Sequence, residues 1–448
     1  FQRLQGKSPK ALTWLRLDDG RYTANPRAID AAVREKWCDI YAGTKGCDDQ
    51  AIVSNFMAAY GEYCYKSEPL HLPKITGSQL KQVCKDGLDT AQGMDHLEAR
   101  VLALLSDKMY DEIASLLNVI ESGAPWPQGM LNGRLAFLEK SDVSVDDALA
   151  WRLLLILSII YRRWASLRLR HLKDWIASWA TTHMFAGIPG VSAADAVLNT
   201  CIEYEFCKIN DQHVSGAAID IWKCFDQICR LLVYEVLRVA GFPPNVLGAY
   251  RRFQENVIVR NTIAGSLGEP YKRVRSIPQG CGFSMMIVAL LLRPWIVYIS
   301  RNTNVIPRVL ADDILIYTFN EQQVRDLVGS VSNTVAYLKT MGAQVASKKT
   351  LIFSTSADAR RWLRTHMWDA FGHVQLNVAL HMRDLGAHVS FINRNISTTL
   401  NNRLTHGTRV ARALQHIPAT HSQKIRAIQG KVLPMSLYGC EVTKCNGN

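Results

Sequence analysis

An α+β fold built around a mostly antiparallel sheet is what this sequence predicts, and three observations carry the prediction. Between residues 217 and 390 short apolar segments alternate with helical ones. "GAAIDIW", "SIPQG", "RVLADDILIYT", "TLIFST" and "LGAHVSFI" read as strands, and Cys224–Ala240 and Gln322–Met341 as helices. Two of those strands carry aspartate inside strongly apolar sequence, a position that demands a partner or a cation. The 448 residues, 48% hydrophobic and 20% charged, are enough to bury a core without disulfide help.

In chain order, residues 1–74 mix charge and aromatics. A helix over Pro26–Tyr41, with Ala28, Ile29, Ala32, Val33 and Trp37 on one face, suggests an N-terminal extension or linker that docks. Residues 75–216 open with Thr76 and Ser78 as candidate N-caps, and Gly87 and Gly93 punctuate two amphipathic helices. Pro125 and Pro127 break a helix, a short strand ends at Lys140, and "AWRLLLIL" reads as a strand that runs into a helix. The basic stripe of that helix (Arg162, Arg163, Arg168, Arg170, Lys173) is either a solvated face or a nucleic-acid surface. Residues 217–390 hold the alternating strands. Residues 391–448 are helical, and from Leu385 to Cys440 seven cations (Arg394, Arg403, Arg409, Arg412, Lys424, Arg426, Lys431) face no acid.

Lysine and arginine exceed aspartate and glutamate by 52 − 39 = +13, which points to a polyanionic partner, most simply nucleic acid; ribosomal and membrane-surface proteins share this balance. The apolar runs Leu153–Ile160 and Phe283–Leu292 fall well short of the ~18–20 residues of a membrane span. No signal segment opens the chain, and Phe1 in place of Met marks it as a fragment. Eleven cysteines without metal-site spacing read as thiols of a reducing compartment rather than disulfides or zinc ligands.

The candidate chemistry lies in the aspartates. Asp220 sits between Ile219 and Ile221, and alternation turns its side chain to the opposite face. Asp312 and Asp313 interrupt two apolar runs. Alone, the pair could be a hairpin turn and Asp220 a helix cap. Adjacent carboxylates repel, and a divalent cation resolves that repulsion. A strand-borne Asp, a helix, "PQG" and then a strand–Asp–Asp–strand hairpin, in that order, form the layout of a nucleotidyl-transferring palm.

Over roughly residues 75 to 445 the chain resembles the reverse transcriptase of non-LTR (LINE-type) retrotransposons. "DIWKCFD" resembles the family's D-x-S-K-A-F-D, "IPQGCGFSM" its I-P-Q-G-x-P-L-S, and "LADD" its F/Y-A-D-D. "SKKTLIFS", "DLGAHV", "TAQGMD" and "KVLPMSLYGCEV" resemble its lysine-bearing strand, the L-G hairpin that follows, the entry to the fingers and a thumb helix. The resemblance implies a right-hand polymerase fold: pre-palm helices and fingers over 75–216, palm with an antiparallel sheet over 217–390, helical thumb over 391–448. It implies an intracellular, nuclear RNA-directed DNA polymerase that uses an RNA template, a DNA primer or RNA–DNA duplex, and deoxynucleoside triphosphates, without a membrane. Two Mg²⁺ ions, with Mn²⁺ as a substitute, would be bridged by Asp220 and Asp312, with Asp313 close by and the Ile221 peptide as a further ligand. By the same resemblance Lys140, Arg152, Ile221, Trp222, Phe225, Gln279 and Gly280 contact the nucleotide. Phe225 is the aromatic under its sugar, and Lys349 a proton donor to pyrophosphate. Arg394, Arg403, Arg409, Arg412, Lys424 and Arg426 contact nucleic acid.

The sequence departs from the family pattern at Leu310, where an aromatic is usual, Gly282 and Leu153, where proline is usual, and Ala346, where asparagine is usual; "MFAGIPGVSAADA" lacks the usual fingers glutamine. None of these removes a metal ligand. Two rival readings stand beside the first: a group II intron or retron-type reverse transcriptase, which shares the palm, and a catalytically silent nucleic-acid-binding protein.

Overall fold

A computed structural model describes residues 11–43, 48–139, 146–392 and 397–443. Its strands, in chain order, are β1 (Leu15–Arg16), β2 (Tyr22–Thr23), β3 (Asn132–Leu138), β4 (Arg152–Ile156), β5 (Ser215–Asp220), β6 (Ile258–Ile263), β7 (Ser266–Leu267), β8 (Ile306–Leu310), β9 (Asp313–Thr318), β10 (Leu351–Ser354), β11 (Asn377–Ala379), β12 (His381–Asp384) and β13 (Ala387–Ser390). They form a five-stranded sheet ordered β11-β10-β5-β9-β8, a four-stranded sheet ordered β4-β3-β6-β7, and two antiparallel pairs, β1-β2 and β12-β13. In the five-stranded sheet every pairing is antiparallel except β10 with β11. The four-stranded sheet takes its first two strands from the 75–216 segment. It takes β6 and β7 from inside 217–390, with β6 parallel to β3.

Helices cover these sheets where sequence periodicity and capping agree. Pro26–Ala42 begins on Asn25, whose side chain accepts from the amides of Arg27 and Ala28, and it buries Ile29, Val33 and Trp37. This segment belongs to the main hydrophobic core, as do Ile52 and Phe56 of Asp49–Tyr60, so the N-terminal extension is part of the fold. Gly77–Cys84 starts on Thr76 with a capping box to Gln79, which leaves Ser78 inside the helix. The next helix begins only at Ala99, and Gly93 lies in irregular chain where a Cβ would meet the Leu157 carbonyl oxygen at 2.8 Å. Ser284–Asn302 is the one helix among the described residues long and apolar enough in composition to cross a membrane, and 67% of that window is buried inside the molecule. It serves as the central core helix, with Trp295 donating to Thr334 Oγ1 at 3.1 Å.

Three sequence expectations are corrected. "SIPQG" is not a strand: Ser276 has φ +94° and Gly280 φ +129°, angles that no ladder accepts. The segment is held as a buried loop by Ser276 N–H to Ile228 O and Ile277 N–H to Phe225 O, each 2.9 Å. That first bond also explains why Cys224–Ala240 is two helices, Cys224–Gln227 and Arg230–Val239, with Ile228 extended between them. The basic stripe divides: Arg162, Arg163 and Arg168 are taken up by the protein itself, while Arg170 and Lys173 are exposed. Arg162 and Arg163 donate to the carbonyls of Ala91 and Gly87, Arg170 pairs with Asp86, and the fully buried Arg168 pairs with Glu121.

Candidate active site

β5 and β9 run antiparallel with Asp220 directly opposite Asp313, so both side chains project from the same face of the sheet, and Asp312 occupies the β8–β9 turn. Ala311 in that turn has φ +57°, which makes the hairpin tight enough to keep Leu310 paired with Asp313. Ile219 and Ile221 are buried at 2% exposure on the other face, as alternation requires. A cavity of about 320 Å³ opens over the carboxylates, lined by Asp220, Asp313, Lys349, Arg308, Asp384 and Gly386 among others.

The chain after Asp220 is fixed by a bridge to the segment before Lys349. Ala346 N–H donates to Asp220 O at 3.0 Å and Trp222 N–H to Gln344 O at 2.9 Å. Ile221 and Val345 between them are therefore a non-hydrogen-bonded pair, whose peptide groups point away from each other. The Ala346 carbonyl then accepts from Lys349 and Thr350, a turn that sets Lys349 Nζ 3.5 Å from Asp220 Oδ2. The alanine in place of the usual asparagine leaves that turn intact.

Asp313 is pushed up to about 6, first by loss of water within the cleft and then by Asp312, Asp384 and Asp220; Arg152, at the start of β4, pulls it down. Arg152 is exposed and does not line the cavity, but its charge reaches Asp313. Gln279 accepts from Leu155 N–H at 3.0 Å, and a Cβ on Gly280 would meet the Leu155 oxygen at 2.5 Å. That glycine is required by backbone packed against backbone at a positive φ. Phe225 and Trp222 are half-buried at the edge of the core. Lys140 and Arg394 lie outside the described residues.

The six-cation proposal for the last segment divides. Arg409, Arg412 and Arg426 are exposed. Arg403 is half-buried; it stacks on Tyr438 with 4.9 Å to the ring centroid and donates to its carbonyl at 2.6 Å, while Tyr438 donates to Leu385 O at 2.9 Å. Arg403 therefore ties Thr398–Gln415 to the β12–β13 hairpin. Lys424 donates to Gln415 O at 3.3 Å. Neutralising Arg409 and Arg412 together is expected to flatten the log–log salt dependence of duplex binding by about 1.8 if each contacts one phosphate of B-form DNA. An unchanged slope assigns them to a solvated helix face.

Two residues near these aspartates escaped sequence reasoning. Lys223, inside "DIWKCFD", turns away from them and donates to Leu149 O and Trp151 O. Asp384 opens the two-residue turn Leu385–Gly386, both with positive φ, and so returns to the cleft from far along the chain. Its carboxyl is pushed up to about 6 by removal from water, opposed by Arg308. The only hint was its place before the L-G of "DLGAHV". The folded chain holds that proton more tightly than the unfolded chain does. The group therefore leaves stability untouched below about pH 4 and costs stability as pH rises through 6. Asp384→Asn is expected to stabilise the fold by about 1–3 kcal/mol at pH 7.5 and negligibly at pH 4. Thermal midpoints at the two pH values measure this, and equal shifts at both would refute it.

The pattern in residues 139–377 matches the sequence profile of the reverse transcriptase (RNA-dependent DNA polymerase) family. The chain belongs to the reverse transcriptase family. Membership implies a right-hand polymerase fold and a nucleotidyltransferase by class. Among solved structures the chain is similar to an apo telomerase from Candida Tropicalis truncated from its C-terminal domain, with 14% identity and a TM-score of 0.41 over 64% of this chain. It spans 59% of that chain's length. No curated protein matches the sequence.

Reverse transcriptases generally use divalent ions, and the donor chemistry here suits them: hard carboxylate oxygens, like-charged and close enough that Asp312, Asp384 and Asp220 add to the burial that pushes Asp313 up. Among the described residues no three His, Cys, Asp or Glu side chains stand close enough to hold an ion as they are placed. The residues that would hold one are Asp220, Asp312 and Asp313, with the Ile221 carbonyl.

Proposed function

We propose that this chain is the RNA-directed DNA polymerase of a non-LTR retrotransposon, transferring nucleotidyl groups to a primer 3′-hydroxyl on an RNA template. The observation that carries the reading is the in-register pairing of Asp220 with Asp313 beside Asp312, in a cleft shared with Lys349 and within reach of the charge of Arg152. The non-LTR assignment is supported by the order of "DIWKCFD", "IPQG", "LADD", "SKKTLIFS" and "DLGAHV" along one chain.

Two divalent ions bound there would make the 3′-hydroxyl nucleophilic and neutralise the departing pyrophosphate. The protein's own groups do the rest. The three aspartates hold charge where the ions must sit, and Arg152 draws the triphosphate into the cleft. Lys349, already beside Asp220, holds a proton for the leaving group. Gln279 and Gly280, braced on Leu155, form the wall against the base. Primer extension on an RNA template with Mg²⁺ and deoxynucleotides tests the reading, with Mn²⁺ as a second ion. Duplex binding without extension under either ion would favour the catalytically silent alternative.

Sugar choice is assigned to Phe225, five residues after Asp220 and half-buried against the main core. A ring there leaves no room for a 2′-hydroxyl, the group that separates the two substrates. Phe225→Val is expected to let ribonucleotides in while deoxynucleotide use falls modestly. The ratio of the two incorporation efficiencies measures it. A fixed ratio with a lowered melting temperature would make Phe225 a core residue only.

A further inference from the structure

We propose that Lys223 is a positioning residue for nucleotide binding: a cationic strut, seated on Trp37 of the N-terminal extension, that fixes the fingers edge relative to the palm turn. The proposal rests on the polymerase reading above. Lys223 lies three residues after Asp220 and two before Phe225, in the left-handed conformation at φ 46° and ψ 45°. A lysine gains nothing locally from that conformation, so its surroundings must hold it there. They do. Its Nζ donates to Leu149 O at 2.6 Å and Trp151 O at 3.3 Å and sits 4.2 Å from the centroid of the Trp37 ring. Trp37 is fully buried, and its own Nε1 donates to Ala148 O at 3.1 Å. Three successive contacts therefore converge on the turn Ala148–Trp151, the residues that lead directly into Arg152.

The other end of the strut is equally fixed. Asp226 N–H donates to Lys223 O, and Phe225 O accepts from Ile277 in the loop that carries Gln279. The side chain of Gln227 donates to Trp222 O and accepts from Gln344 N–H. One ammonium thus joins three parts of the nucleotide pocket: the fingers strand bearing Arg152, the palm turn bearing Ile221 to Phe225, and the helix Pro26–Ala42 behind both. An ammonium suits this task because it offers several donors in a compact head and binds an aromatic face. Its removal should loosen the distance between Arg152 and the palm carboxylates without altering the duplex surface or the ion-holding aspartates.

Lys223→Met keeps the stem and removes the charge, and Lys223→Arg keeps the charge. In single-nucleotide incorporation the Met variant is expected to raise KM for the deoxynucleotide about tenfold, with kcat and primer–template affinity near wild type and partial recovery in the Arg variant. In hydrogen exchange, amides from Leu149 to Leu155 should open faster in the Met variant, while those of Ser284–Asn302 stay unchanged. An unchanged KM in an active enzyme overturns the proposal, as does a loss of duplex affinity equal to the loss of nucleotide affinity. If the wild-type chain extends no primer, the polymerase reading fails separately. The exchange measurement then decides the strut alone, and unaltered protection at Leu149–Leu155 refutes it.

Discussion

Asp312→Asn is expected to abolish primer extension, a loss of at least about a thousandfold, while the chain stays folded and binds duplex. The reason is electrostatic. The side chain sits at the β8–β9 turn beside Asp313, and loss of water within the cleft, then the neighbouring carboxylates with Asp312 foremost, holds Asp313 up to about 6. Such crowding costs stability in the free protein and a bound cation relieves it, so removing one carboxylate takes away ion binding and relaxes the fold together. Asp220→Asn should match it, because Asp220 supplies the neighbouring strand's half of the site. Asp313→Asn should retain measurable extension, since Asp313 is assigned the weaker ligand role. Single-turnover extension with thermal denaturation and duplex binding in parallel separates the three. If Asp313→Asn is the silent variant and Asp312→Asn the tolerated one, the in-register pair Asp220–Asp313 is the bridging pair, and the roles of the adjacent aspartates exchange.

What the sequence made legible follows from where its physics is local. Alternation around Asp220 and the apolar runs about Asp312 and Asp313 were readable because a strand's side-chain period is set by its own backbone. Asn25 and Thr76 were competent caps whatever lay around them, although only Thr76 was read as one. "SIPQG" failed because its partners are tertiary: Ser276 takes φ +94° only because Ile228 and Phe225 offer carbonyls to the loop. Asp384 and Lys223 were missed for the same reason. One reaches the cleft through a hairpin far down the chain, and the other matters through Trp37 and the Leu149 and Trp151 carbonyls. The stripe at Arg162–Lys173 shows the limit most plainly. Charge periodicity cannot distinguish an arginine that meets phosphate from one that meets a glutamate 47 residues away.

That glutamate supports the second large effect: Glu121→Ala is expected to cost about 3–5 kcal/mol of stability. Its carboxylate, 4% exposed, accepts from Arg168 Nε at 2.7 Å and Nη2 at 2.5 Å, from Trp164 Nε1 at 2.7 Å and from Asn245 Nδ2 at 2.9 Å. Arg168 is wholly buried, with its Nη1 shared between Pro73 O at 2.9 Å and His171 Nδ1 at 3.1 Å. Burial, then Arg168, holds His171 below the ordinary imidazole range, so its ring nitrogen is an acceptor for that bond. Deleting the carboxylate leaves a buried guanidinium, a buried indole N–H and a half-buried amide without that acceptor. Replacing both charged residues, Glu121→Leu with Arg168→Leu, removes the stranded charge and should recover part of the loss. Recovery stays incomplete because Trp164 and Asn245 still lack their acceptor. Urea midpoints of the single and double variants measure this. A double variant no more stable than Glu121→Ala alone would show that the indole and amide bonds, rather than the ion pair, dominate the junction between the helices Asp107–Glu121, Ile159–His171 and Pro244–Asn256.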